Sequence, residues 1–326
     1  MATRVLSGMQ PSGCLHLGNL LGALDNFVRL QEEHECFYFI ADWHALTTNF
    51  EDTSKIQFYA REMLIDWLAA GLDLARSTLF IQSHVPQHAV LYLLLSMITP
   101  IPWLERNPTY KEKQENLEGR DLSTHGFLGY PVLQAADILL YKGNLVPVGI
   151  DQLPHLELTR EITRRFNGLY KAIFPEPQAL LTEIPKVPGT DGRKMSKSYN
   201  NTINLSDTEP EVRAKLKTMV TDPARVRRTD KANPDVCPVF TLHQSVSSPD
   251  VIDRVNRECR TAEIGCIDCK KLAADAIVSR LTPIWEKRRQ LVQQPKLVDE
   301  VIATGVHRAS AVASQTILDV NDAMKI

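Results

Sequence analysis

Short apolar runs alternate with helical patterns through the first half of the chain, and this alternation is the strongest constraint on the fold. Residues 3–8 predict a strand that ends in a glycine turn, continued by Gln10-Pro11-Ser12-Gly13. Leu17, Leu20, Leu21, Leu24, Phe27 and Val28 then recur at helical spacing. The continuous apolar run Cys36 to Ala41 predicts a strand buried on both faces. Thr53 is placed to cap a helix carrying Ile56, Tyr59, Met63, Leu64 and Trp67. A strand follows at residues 77–82, and a helix from about His88 to Met97, stopped by Pro100 and Pro102. A helix over 132–141, a strand over 145–148 and a helix over 152–166 complete the pattern. Strands alternating with helices imply an α/β fold with a doubly wound parallel sheet.

The texture changes after residue 199. Helical patterns dominate from there, ending in one amphipathic helix from Leu297 to about Met324. The division expected is a Rossmann-like unit over 1–199 and a smaller helical unit over 200–326, whose last helix packs back on the first unit. The formal net charge of -2 excludes a generally basic coat for nucleic acid, so any such contact needs a local patch. Residues 213–231 supply one: Arg213, Lys215, Lys217, Arg225, Arg227, Arg228 and Lys231 face only Asp222 and Asp230. No apolar run is long enough to span a membrane, and the first residues carry no apolar leader. The expected place is therefore the cytoplasm, where disulfides are disfavoured.

Two motifs carry the chemistry. His16-Leu17-Gly18-Asn19 opens the first helix directly after the first strand, where free N–H groups and the helix dipole favour an anion. His16 and Asn19, one turn apart, can reach a phosphate, and Gly18 leaves room for a base and ribose. A plain helix cap with an incidental histidine is the alternative. Lys194-Met195-Ser196-Lys197-Ser198 lies between helix breakers, Pro185, Pro188, Gly189 and Gly192 on one side and Asn200-Asn201 on the other. Its two ammonium groups and two hydroxyls suit a polyanion that is held and released; a mobile Lys/Ser linker is the bland reading. Neither a P-loop nor a G-x-G-x-x-G fingerprint is present.

H-x-G-N after a first strand, with K-M-S-K-S later in the chain, resembles the class I aminoacyl-tRNA synthetases. The words Ser7 to Gly13, Ala41 to Ala45, Tyr130 to Asp137 and Gly149 to Gln152 resemble the bacterial tryptophanyl-tRNA synthetases over nearly the whole chain. The resemblance implies activation of L-tryptophan by ATP with Mg²⁺, then transfer to tRNA(Trp), by a homodimer. It implies phosphate contacts from His16, Asn19, Lys111, Lys194 and Lys197. Gln10, Ser12, Gly18, Met195, Ser196, Ser198, Gly149 and Asp151 would complete the ATP site. For tryptophan it implies Asp137 as acceptor of the indole N–H, with Gln134, Tyr130, Gln152 and His44 around the substrate. The nucleophile, a carboxylate, is already ionised, so catalysis amounts to positioning and charge neutralisation.

Other readings remain at this point. Tyr130, Gln134 and Asp137 also resemble the tyrosine-binding pattern of some tyrosyl-tRNA synthetases. A small nucleotidyltransferase with an H-x-G-H loop, or a paralogue that only senses tryptophan or binds RNA, are the remaining classes. Cys237, Cys259, Cys266 and Cys269 are the number that closes the shell of a zinc ion or a [4Fe–4S] cluster. Their spacing resembles that of the synthetases with an iron–sulfur cluster, which puts [4Fe–4S] first, Zn²⁺ second and free thiols third.

Overall fold

A computed structural model describes residues 3–107, 124–181 and 187–326, with Asp151 described by its backbone alone. Five strands form one parallel sheet: β1 (Arg4–Met9), β2 (Glu35–Ile40), β3 (Ser77–Ile81), β4 (Leu145–Val148) and β5 (Gln178–Leu181), in the order β3-β2-β1-β4-β5. The strand order reverses between β1 and β4, which opens a crevice at their C-terminal ends. The α/β, doubly wound expectation matches this architecture.

Side chains alternate across the sheet with period two, as a pleated strand requires. Cys36, Tyr38, Ile40, Leu79 and Ile81 join one buried cluster, together with Trp67, Leu20 and Leu24. Phe37, Phe39 and Phe80 point to the other, together with Leu139, Val146 and Phe166. Helices cover both faces, so β2 and β3 are buried along nearly their whole length rather than on alternate residues.

After Leu181 the described elements are helical: Glu209–Thr218, Pro238–Val246, Pro249–Thr261, Cys266–Val292 and Pro295–Met324, with short 3₁₀ turns. Their core is continuous with the first cluster, through Leu216, Phe240, Ile277 and Leu281. The helix Pro295–Met324 runs past the β3 edge of the sheet, contributing Val298 and Val301 to one cluster and Ala309 and Ala313 to the other. Gly305 is the crossing point. A Cβ there would stand 1.6 Å from the Leu79 carbonyl oxygen, so only glycine allows this approach.

Several elements differ from expectation. Thr53 is not a helix cap: its carbonyl receives the Ile56 N–H in a preceding turn, and the helix Ile56–Ala70 starts after Lys55. An additional helix, Asp42–Asn49, follows β2. The helix expected at 132–141 spans His125–Leu140 with Pro131 inside it. Proline forfeits one helical hydrogen bond there, a loss offset by burial of Tyr130, Pro131 and Val132 on both sides of the break. Strand β5 was not anticipated, because an edge strand with a half-exposed pattern carries no continuous apolar run. Gln82 leaves the third strand to begin a 3₁₀ turn.

Candidate active site

A cavity of about 280 Å³ opens at the C-terminal ends of β1 and β4. Gln10, His44, Gln134, Asp137, Gly149 and Gln152, all singled out from the sequence, line it. Gly8 belongs to its floor, where a Cβ would fall 2.6 Å from the Phe39 ring. Tyr130 is placed elsewhere: its hydroxyl meets His155 Nε2 at 3.0 Å, and its ring lines a separate apolar hollow beside Trp43, Tyr92 and Leu133. Lys111 and the Asp151 side chain lie outside the described residues.

Asp137 is fully buried on an otherwise apolar helix. Its carboxylate accepts from Gln82 Nε2 at 2.8 Å and pairs with His88 Nδ1 at 2.6 Å and His44 Nε2 at 2.8 Å. Burial pushes its pKa up, but the hydrogen bonds from His44 and His88 outweigh it and hold the group below the usual carboxylate value. Asp137 is thus an ionised acceptor at the wall of the cavity.

His16 and the chain that follows the lysine loop meet in a short bridge, His16 opposite Asn204. Leu17 donates its N–H to the Ile203 carbonyl at 2.8 Å, and Leu205 donates to the Leu15 carbonyl at 2.9 Å, which ties the chain after the lysine loop to the start of the first helix. The His16 N–H bonds Asn19 Oδ1 at 3.1 Å. Gly18 packs on the His16 ring; an added Cβ would lie 3.0 Å from Nδ1. That Nδ1 is buried without a partner, and in the tautomer that carries its hydrogen it is a donor that an anion's oxygen can meet. Burial first, then the charges of Lys197 and Lys194, lower the His16 pKa to about 4, so the ring is neutral near pH 7.

Lys197 Nζ donates to the Gly13 carbonyl at 2.8 Å. Burial lowers its pKa to about 8, against the opposing pull of Cys14 and Asp66. Ser12 is exposed in the same turn. Met195 anchors the loop in the core, while Ser196 Oγ and Ser198 Oγ pair at 2.8 Å. Asn201, buried, holds the loop's shape: Oδ1 accepts from the Ser196 N–H at 2.8 Å, and Nδ2 donates to Asp191 at 2.7 Å and to the Lys194 carbonyl at 3.2 Å.

Asn26, Gln82, His88 and Asn201 were missed in the sequence. Asn26 lines the cavity with a buried, unpartnered Nδ2. Only its place on the cavity-facing side of the first helix could have marked it.

The four late cysteines share one neighbourhood. Cys237, Cys259 and Cys269 are buried and Cys266 half-buried. Burial raises the Cys269 thiol to about 12, and Cys237, Cys259 and Cys266 add to that rise. The donor set has the right chemistry for a thiolate-bound centre. Among the described residues, however, no three His, Cys, Asp or Glu side chains converge closely enough to hold a metal ion. His243 Nε2 lies 3.1 Å from the Cys269 carbonyl and 3.5 Å from its Sγ.

Residues 1–282 match the family of class I tRNA synthetases for tryptophan and tyrosine. The chain belongs to this family. Among relatives, the synthetase is 54% identical to the tryptophan–tRNA ligase of Thermotoga maritima, over 99% of each chain. It is 46% identical to that of Ralstonia nicotianae, over 98% of each. Its fold matches the tryptophanyl-tRNA synthetase of Campylobacter jejuni, solved with ADP and tryptophan, with a TM-score of 0.90 and 32% identity over 99% of this synthetase and 100% of that chain. No described helix of the synthetase is long and apolar enough to cross a membrane.

Proposed function

We propose that the chain is a tryptophan–tRNA ligase, which joins L-tryptophan to ATP as the adenylate, releases pyrophosphate, and passes tryptophan to the terminal adenosine of tRNA(Trp). The observation that carries this reading is the ionised Asp137 at the wall of a cavity that also takes in Gln10, with Lys197 docked on Gly13 three residues further along the same turn. Asp137 accepts the indole N–H, a single donor that suits a carboxylate. Gln134, Gln152 and His44 surround the substrate. His16, Asn19, Lys194 and Lys197 take the phosphates of ATP, which brings Mg²⁺ with it, and Lys111 is assigned to the same task. Gln10, Ser12, Gly18, Gly149 and Asp151 flank the nucleotide, with Met195, Ser196 and Ser198 shaping the loop. Tyr130 acts from behind, through the packing of its helix.

Residues 1–199 carry activation, and residues 200–326 meet the tRNA anticodon. A tRNA substrate places the enzyme in the cytoplasm. Val90 and Leu93 on the helix Gln87–Ser96, Met97 at its end and Ile101 at the start of the helix Ile101–Glu105 are 43%, 53%, 69% and 59% exposed. Such an apolar patch favours a homodimer, checked by light scattering.

The four cysteines are assigned a [4Fe–4S] cluster that pins the helical unit, with no part in adenylate formation. What supports it is the gathering of four thiols, with Cys237 and Cys266 near enough to both Cys259 and Cys269 to add to the rise that burial gives those two. Anaerobically purified protein should be brown with about four irons per chain. Colourless protein with one zinc moves the assignment to zinc, and metal-free protein leaves free thiols.

The ligase reading is tested by charging tRNA with labelled tryptophan. Tryptophan should appear on tRNA in an ATP-dependent manner; folded protein that charges none would overturn the reading.

A further inference from the structure

The acceptor positions of the Asp137 carboxylate can be counted. An ionised carboxylate offers about four lone-pair sites, two per oxygen. Oδ1 receives Gln82 Nε2 at 2.8 Å and His88 Nδ1 at 2.6 Å, so it is full. Oδ2 receives His44 Nε2 at 2.8 Å and keeps one site open. His44 lines the cavity, whereas Gln82 and His88 do not. The open site therefore belongs to the oxygen on the cavity side, and the two donors on Oδ1 stand behind.

His88 is itself held. It is fully buried, and its Nε2 lies 2.8 Å from the Tyr141 hydroxyl. Tyr141 is also fully buried, and burial keeps its phenol protonated. That hydroxyl has a hydrogen to donate, and His88 Nε2 is the acceptor facing it. The ring hydrogen of His88 then sits on Nδ1 and points at Asp137, a tautomer that follows from the network. The rings of Phe39 and Phe80 pack against His88 at centroid distances of 5.9 Å and leave it little freedom to turn.

We propose that His88, backed by Tyr141, is a positioning residue that leaves Asp137 one acceptor site aimed into the cavity and thereby sets the preference for a ring with a single N–H donor. This rests on the reading that Asp137 receives the indole N–H. Two donors on Oδ1 stop the carboxylate from rotating and keep it ionised. Without His88 the carboxylate turns or takes up a proton, and either event removes an acceptor aimed at the ring. A ring lacking N–H is rejected because Oδ2 is then buried with a vacant site.

The test compares tryptophan with 3-benzothienylalanine, an isostere with sulfur in place of N–H, in ATP–pyrophosphate exchange. His88→Leu should lower kcat/KM for tryptophan about tenfold, through KM, the loss expected for a charged hydrogen bond. The same change should hardly alter kcat/KM for the isostere, so the preference falls by that factor. His88→Asn, which keeps a donor near the Nδ1 position, should restore most of the preference. Tyr141→Phe should lower it in part, and it serves with His88→Asn should His88→Leu fail to fold. Equal losses on both substrates, the mark of a structural role, would overturn the proposal. So would a native preference in His88→Leu and Tyr141→Phe while Asp137→Asn loses it. A native preference in Asp137→Asn would remove the reading of Asp137 itself, and this one with it.

Discussion

The ammonium group of Lys197 donates to the backbone carbonyl of Gly13 across 2.8 Å, which docks the lysine loop on the turn that leads into His16. Gly13 has φ +138°, and a Cβ there would stand 3.0 Å from Lys197 Cδ, so glycine is what admits the lysine stem. Two segments far apart in sequence are thus joined at this contact.

Lys197 should make ATP capture pH-dependent. Its pKa in the free protein is lowered to about 8, chiefly by burial, so the ammonium is charged below that pH and neutral above it. The kcat/KM for ATP, which reports ionisations of the free enzyme, should fall as pH rises through about 8. Lys197→Arg should remove that limb, since arginine stays charged. An identical limb in both proteins would assign it to another group.

Arg288 is expected to hold the helical part to the catalytic part. It pairs with both Asp66 and Glu62 across the contact of the helices Ile56–Ala70 and Cys266–Val292. Burial raises Asp66 to about 7 despite Arg288, so its charge depends on that partner. Arg288→Ala leaves a buried carboxylate uncompensated and should cost about 3–5 kcal/mol, read from urea unfolding. The loss should be largest above pH 7, where Asp66 would have to carry its charge, and smaller near pH 5. A pH-independent loss would contradict the pairing.

Gly305→Ala should destabilise the chain by about 1–3 kcal/mol or more, because the new methyl meets the Leu79 carbonyl. Thermal melting checks this; an unchanged midpoint would mean that the last helix does not press on β3.

The basic run divides by partner. Arg213 pairs with Glu209 and Asp275, Lys215 with Asp207, and Arg228 caps the carbonyls of Ala262 and Glu263. Lys217, Arg227 and Lys231 are exposed. Replacing these three with alanine should weaken tRNA binding and flatten its salt dependence, whereas Arg228→Ala should lower stability instead. Unchanged affinity and salt slope in the triple variant would remove this surface from the tRNA contact.

These partners also mark what could be read ahead of the structure. Strands β2 and β3 are buried along nearly their whole length, which writes an apolar run, while β1 was legible from Val5-Leu6 and the glycine turn that follows. β5 was not, since an edge strand needs no such run. Asp137 was visible because a carboxylate costs too much in an apolar helix without partners. Its partners Gln82 and His88 were not, because one Gln in a turn and one His on a helix fit no periodic pattern. The basic run was visible as charge, but its division into held and free side chains depends on where Asp207, Asp275 and the Ala262 and Glu263 carbonyls come to lie in the fold.

The most direct measurement is ATP–pyrophosphate exchange with tryptophan and tyrosine in parallel. Exchange should follow tryptophan and stay at background with tyrosine. Lys197→Ala should abolish most of the rate while tryptophan still binds, because the lysine acts on charge that develops at the phosphates. Exchange driven by tyrosine, or equal loss of rate and tryptophan binding in Lys197→Ala, would contradict the account.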